Sequence, residues 1–167
     1  GGLRALVSLG LDGEWGSIPA ATRAYVLERG IYDGLLVKSI GNPAVDGSLI
    51  GVATPYHLLE PGDPLVQATV ARIEANLRRE GGGVHRYVAD TYYGGGEWVL
   101  LTAWMGWYYA EVGESEKARE MLVWVEAQAN EQGNLPEQVP CTLTAPRYLE
   151  IWRERRGEIA SLLLWSH

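Results

Sequence analysis

Apolar positions along this chain follow two patterns. In the first they recur on one helical face. Val66, Val70, Ile73 and Leu77 stand at i, i+4, i+7 and i+11, so 64–79 reads as an amphipathic helix. Asp63-Pro64 ahead of it supplies an N-cap and a favoured first-turn proline. Ser115 to Glu131 is striped through Ala118, Met121, Leu122, Val125 and Ala129, and Gly133 closes it. A third striped helix starts at Ser17, carries Pro19 in its first turn and stops at Gly30. In the second pattern the apolar residues cover every face. Trp98 to Val112 is the main example, and such a helix must be buried all round. Asp46 to about Ala53 and Glu158 to His167 are shorter versions.

The rest is punctuation. Residues 2–10 read as a helix end, 31–44 as loop or short hairpin, and Gly81-Gly82-Gly83 as a helix stop. Val84 to Asp90 reads as extended or loop, Thr91 to Gly96 as an aromatic, glycine-rich turn, and Arg147 to Arg156 as a polar helix. Striped and all-apolar helices alternate. Two concentric layers explain this, since inner helices are covered on both sides and outer ones on one. A four-helix bundle would stripe every helix, and no recurring period marks a solenoid. The expectation is an all-α fold of the α/α toroid type, about half a barrel with roughly six helices in two layers. Residues 1–167 form it as one domain, with no second.

Composition narrows the chemistry. A formal charge of -7 with no basic stripe excludes nucleic acid, because no cation row is there to displace counterions. Phe is absent, yet there are seven Trp and nine Tyr, side chains suited to half-wet clefts as well as cores. The single cysteine, Cys141, excludes an internal disulfide. His57, His85 and His167 lack ligand-like spacing, so neither a metal nor a cofactor is expected. No basic-then-apolar leader opens the sequence, and the apolar run Trp98 to Ala110 is too short to cross a bilayer. A soluble chain without a membrane partner, compatible with the cytoplasm, is the expectation.

Candidate site residues gather just ahead of the all-apolar helices, whose N-termini a toroid brings to one mouth. Arg86 and Asp90 would grip vicinal hydroxyls, or form a structural ion pair. Tyr92, Trp98 and Trp165 would wall a sugar, whose apolar face stacks on flat rings. Asp46 opens the helix near 46. Asn134-Leu135-Pro136-Glu137-Gln138 sets one carboxylate on a proline-stiffened turn, and Glu137 is read as a catalytic base acting on a sugar bond. Glu14 is read as a surface residue, Trp104, Trp107 and Trp124 as core, and Arg153-Glu154-Arg155-Arg156 as a solvated face.

These residues carry a resemblance. Arg86-Tyr87-x-x-Asp90-Thr91-Tyr92-Tyr93-Gly94-Gly95-x-x-Trp98, then Leu135-Pro136-Glu137-Gln138, then Trp165-Ser166-His167, resemble the glucoamylase family of glycoside hydrolases, family 15. Their order matches the last half of its catalytic domain from Glu14 onward, and Asp46-Gly47-Ser48 is similar to its Asp-Ala-Ser segment. The resemblance implies an (α/α)6 barrel that releases glucose from non-reducing ends of α-glucans with inversion. It places the general base at Glu137 and the glucose-holding residues at Arg86, Asp90 and Trp98, with Tyr92, Asp46, Gln138 and Trp165 around them.

Three features depart from that family. Gly95-Gly96-Glu97 replaces its usual Asn-Pro before the tryptophan, and Pro146 to Arg156 matches poorly. Its general-acid glutamate lies upstream, in a half this chain does not contain. A fragment inactive alone is therefore expected, completed by the missing half-barrel or by self-association. The alternatives are a trehalose hydrolase of the same family, and a non-catalytic half-barrel that binds sugar or mediates assembly.

Overall fold

The computed structural model describes residues 8–10 and 17–167. Glu14 and most of the helix end expected at 2–10 lie outside them. Five α-helices occur among the described residues: α1 (Ile18–Arg29), α2 (Pro64–Leu77), α3 (Val99–Glu111), α4 (Ser115–Glu126) and α5 (Tyr148–Arg156). A small hairpin pairs β1 (Ile31–Tyr32) with β2 (Leu35–Leu36). Three short antiparallel strands, β3 (Val84–His85), β4 (Glu97–Trp98) and β5 (Gln138–Val139), make a second sheet in that order.

α2 forms for the reasons its sequence suggests. The Asp63 side chain accepts from the Leu65 amide at 2.9 Å, satisfying one of the free donors of the first turn. Val66, Val70, Ile73 and Leu77 are all buried. Thr69, also buried, donates to the Leu65 carbonyl and accepts from the Leu36 amide at 3.0 Å. One polar residue on the stripe thus pins the hairpin to the helix. Ser17, by contrast, makes no side-chain cap on α1.

α3 and α4 run back on each other across Val112–Glu114. Gly106 allows the close approach, since a Cβ there would stand 2.9 Å from the Met121 Cβ. Met105, Tyr108, Tyr109 and Met121 join the α2 stripe in the core.

Three expectations are corrected. α3 is not buried all round, because Trp107 stays 45% exposed and Trp104 half-buried. Among the described residues, that face is met by Gly51 and by the turn at 56–57, through edge contacts of Tyr56 with Trp104 and His57 with Trp107. Residues 46–53 form a 3-10 turn, Gly47–Val52. Gly51 there lies so close to the Trp104 ring that a Cβ would meet it at 2.9 Å. Glu158 to His167 is an extended strap ending in the turn Leu164–Ser166, because the Ala160 carbonyl is taken by the Glu137 amide at 2.7 Å. Leu162 and Leu164 consequently face water, as does Leu122 on α4 beside an apolar groove of about 410 Å³ between α3 and α4.

Candidate active site

The β3-β4-β5 sheet is the platform. Pairing sets Val84 opposite Trp98 and Trp98 opposite Gln138, while His85 faces Glu97. Successive side chains on a strand point to opposite faces, so Trp98 projects from one face and Glu97 from the other. Arg86 follows β3 and lies over the Trp98 ring, 4.7 Å from its centroid.

Arg86 grips Asp90 with a two-pronged fork, Nε to Oδ2 at 3.0 Å and Nη2 to Oδ1 at 2.6 Å. Asp90 is buried and also accepts from the Tyr92 amide at 3.0 Å. The paired carboxylate strengthens the guanidinium's hold on its proton against the cost of burial. With 30% of its side chain exposed, Arg86 keeps N–H donors to offer a hydroxyl.

Glu137 sits beside this fork. Its amide donates to Ala160 at 2.7 Å and its carbonyl accepts from Val99 at 3.4 Å. Its Oε2 accepts from the Tyr92 hydroxyl at 3.2 Å. Burial raises the Glu137 pKa above the ordinary carboxylate value, opposed by the Tyr92 hydrogen bond and the Arg86 charge. The Tyr92 ring stacks at 6.0 Å on Trp98. Arg86, Asp90, Tyr92, Trp98 and Glu137, from two separate stretches of sequence, therefore meet in one group.

The other expected residues stand differently. Gln138 is fully buried; its Oε1 accepts from the Gly96 amide at 3.0 Å and its Nε2 donates to the Tyr92 carbonyl at 3.1 Å. Its amide clamps the glycine-rich turn. Asp46 is held by the Ser48 amide and hydroxyl and by Lys38 at 3.4 Å. It touches the site through the backbone next to it, as the Gly47 amide donates to the Arg86 carbonyl at 2.6 Å. Trp165 is 55% exposed on the strap.

One aromatic was not read from the sequence. Trp152 of α5 packs edge-on against Tyr92, with centroids 5.0 Å apart, and lies 6.1 Å from Tyr93. Its signal was a place beside Tyr148, Leu149 and Ile151 in the first half of a helix whose second half is charged. Among the described residues no group of three His, Cys, Asp or Glu is arranged to hold a metal ion, and no helix is long and apolar enough to cross a membrane.

The turn carrying Tyr92 depends on Gly95. Its φ is +69°, and a Cβ would collide with the Asp90 carbonyl and the Thr144 hydroxyl. Gly95→Ala is expected to cost about 2 kcal/mol or more, read as a lower urea midpoint, because backbone cannot yield as a flexible side chain would.

No protein-family model matches the sequence. Isomaltose glucohydrolase of Kribbella flavida is 43% identical over 150 residues, which take in 90% of this chain and 39% of that protein. The chain is a relative of the glycoside hydrolases. Trehalase 1 of Sulfolobus acidocaldarius is 30% identical over 102 residues, 60% of this chain and 18% of that one. A solved glycosidase, a glutamate-to-alanine variant in complex with glucose, superposes on the whole chain with a TM-score of 0.91 at 40% identity, using 46% of its own length. A wild-type glycosidase structure gives 0.85 at 42% identity over 92% of this chain and 41% of its own. Against these hydrolases the chain spans less than half the length of each, and its helical layers are those of part of an α/α barrel.

Proposed function

We propose that these residues form the base-bearing part of an inverting α-glucoside hydrolase of the glucoamylase type, family 15. The observation that carries this reading is the buried Glu137 carboxylate, 3.2 Å from the Tyr92 hydroxyl and beside the Arg86–Asp90 fork.

Arg86, oriented by the buried Asp90, holds hydroxyls of the terminal glucose, and Trp98 and Tyr92 line its apolar face. Glu137, ionised, takes a proton from the attacking water. The leaving oxygen needs a proton from a second carboxyl group roughly 6.5–9.5 Å away. Asp90 is committed to Arg86, and Asp46 to Ser48 and Lys38. We assign the acid to residues outside those described, in keeping with a chain that matches less than half the length of its relatives.

The named relatives make isomaltose the first substrate to test and trehalose the rival. The full-length protein is expected to release glucose from isomaltose, maltose or maltotriose faster than from trehalose. Proton NMR should show the β anomer first. An α anomer appearing first rules out inversion, and no glucose from any of the four rules out the function. Among the described residues gathered at the site, Asp46 and Asp90 are each held by a cation, which favours one other reading, a half-barrel that binds sugar without cleaving it; heat of glucose binding without turnover would be its signature.

A further inference from the structure

The turn that carries the proposed base is fastened from outside its sheet. At its start, the Asn130 amide donates to the Asn134 carbonyl at 3.0 Å, and the Asn134 amide donates to the Asn130 Oδ1 at 2.9 Å. At its end, Gln138 is paired into β5. Pro136 has no N–H, so between these anchors only Leu135 and Glu137 have a main-chain donor to place. Both donors end on the strap 158–167. The Glu137 amide donates to the Ala160 carbonyl at 2.7 Å. The Leu135 amide donates to a side chain, the His167 Nε2, at 3.2 Å.

A further contact fixes the state of that ring. The His167 Nδ1 lies 3.0 Å from the Leu163 carbonyl. A carbonyl only accepts, so Nδ1 carries a hydrogen. An amide N–H only donates, so Nε2 is a bare lone pair. The neutral tautomer with its hydrogen on Nδ1 satisfies both contacts at once, each nitrogen's role being set by the partner of the other.

Apolar packing does not hold this end of the strap, since Leu162, Leu164 and Trp165 are all exposed. Its other end is tied where the Tyr93 hydroxyl donates to the Gly157 carbonyl at 3.0 Å. The strap therefore runs from the aromatic turn to the glutamate turn, and His167 closes it on the far side.

We infer that His167 is a positioning residue: its neutral ring pins the strap to the Leu135 amide and so sets the turn that aims Glu137. The inference rests on the function proposed above. Leu135 is two residues ahead of Glu137, whereas Trp98 stands on β4 and Arg86 just past β3. Loss of the tie lets the carboxylate swing while the sugar grip stays in place. A base must meet its water at hydrogen-bond distance, and a displacement of about 1 Å can cost roughly a hundredfold in rate. The loss belongs in kcat and not in sugar affinity.

Two variants of the full-length protein test this with isomaltose as substrate. His167→Phe keeps a flat ring without a nitrogen. His167→Gln places an amide oxygen near the Nε2 position, where it can accept from Leu135. In His167→Phe, kcat is expected to fall roughly ten- to a hundredfold, with KM and the calorimetric affinity for glucose unchanged. His167→Gln should recover most of that loss. Unchanged kcat in His167→Phe, an equal loss in both variants, or a fall in glucose affinity matching the fall in kcat would overturn the role. Histidine-selective 15N NMR of the parent, with His167 assigned by the signal missing from His167→Gln, should show a neutral ring with its hydrogen on Nδ1. A hydrogen on Nε2 instead would overturn the tie even if His167→Phe does not fold. Absence of hydrolysis by the parent would fall on the proposed function, with the tautomer still judging the tie.

Discussion

Glu137→Gln is expected to lower kcat for glucose release by about two to four orders of magnitude, the contribution of a positioned general base. Glutamine has the same shape and still accepts from Tyr92, but it cannot take a proton from water. Because burial holds the Glu137 pKa above the ordinary carboxylate value, the acid limb of kcat/KM should lie at higher pH than for a solvated glutamate. Tyr92→Phe removes a hydrogen bond that opposes this shift, so the limb should move further up in that variant. The same sign governs stability. A carboxyl whose folded pKa is raised contributes stability below its unfolded value, and this is lost as pH rises through the folded value. Ionised Glu137 thus strains the fold at neutral pH, and Glu137→Gln should unfold at a higher urea concentration while releasing almost no glucose. Retention of more than a small fraction of kcat would remove Glu137 as the base.

Asp90→Ala should have the second largest effect. It leaves the Arg86 guanidinium between Trp98 and Tyr92 without its fork partner. Breaking a fully buried pair costs about 3–5 kcal/mol; with 30% of the Arg86 side chain in water, about 2–3 kcal/mol is expected here. Glucose affinity should fall by roughly a hundredfold or more as the donors lose their orientation. Arg86→Lys separates a sugar grip from a purely structural ion pair. Lysine keeps the charge but not the planar fork, so a grip predicts lost glucose binding by calorimetry in protein that remains folded. A structural pair predicts lower stability with glucose affinity unchanged.

What could be read in the sequence divides along physical lines. The α2 stripe and the Asp63 cap were legible because a 3.6-residue period and a side-chain acceptor are local features. The grouping of Arg86, Asp90, Tyr92 and Trp98 was legible because they are close in sequence, and Glu137 joined them through its place in the order of motifs. Residues 158–167 were not, since an unbroken apolar run does not say whether its backbone bonds to itself or to the Glu137 turn. Strands of two residues carry no period, so the sheet under the site left no pattern. Gln138 next to the base read as a sugar contact, whereas its buried amide clamps Gly96 and Tyr92. Trp107 read as core from its mid-helix place, but the edge contact of His57 leaves it 45% exposed.

β5 is one of the two edge strands of its sheet and only two residues long. Short margins with few partners are where native proteins fray first. When this one detaches, the acidic turn leaves while the indole stays on the central strand β4 and the guanidinium stays just past β3. Under the function proposed here, such breathing would turn a hydrolase, for an instant, into a lectin.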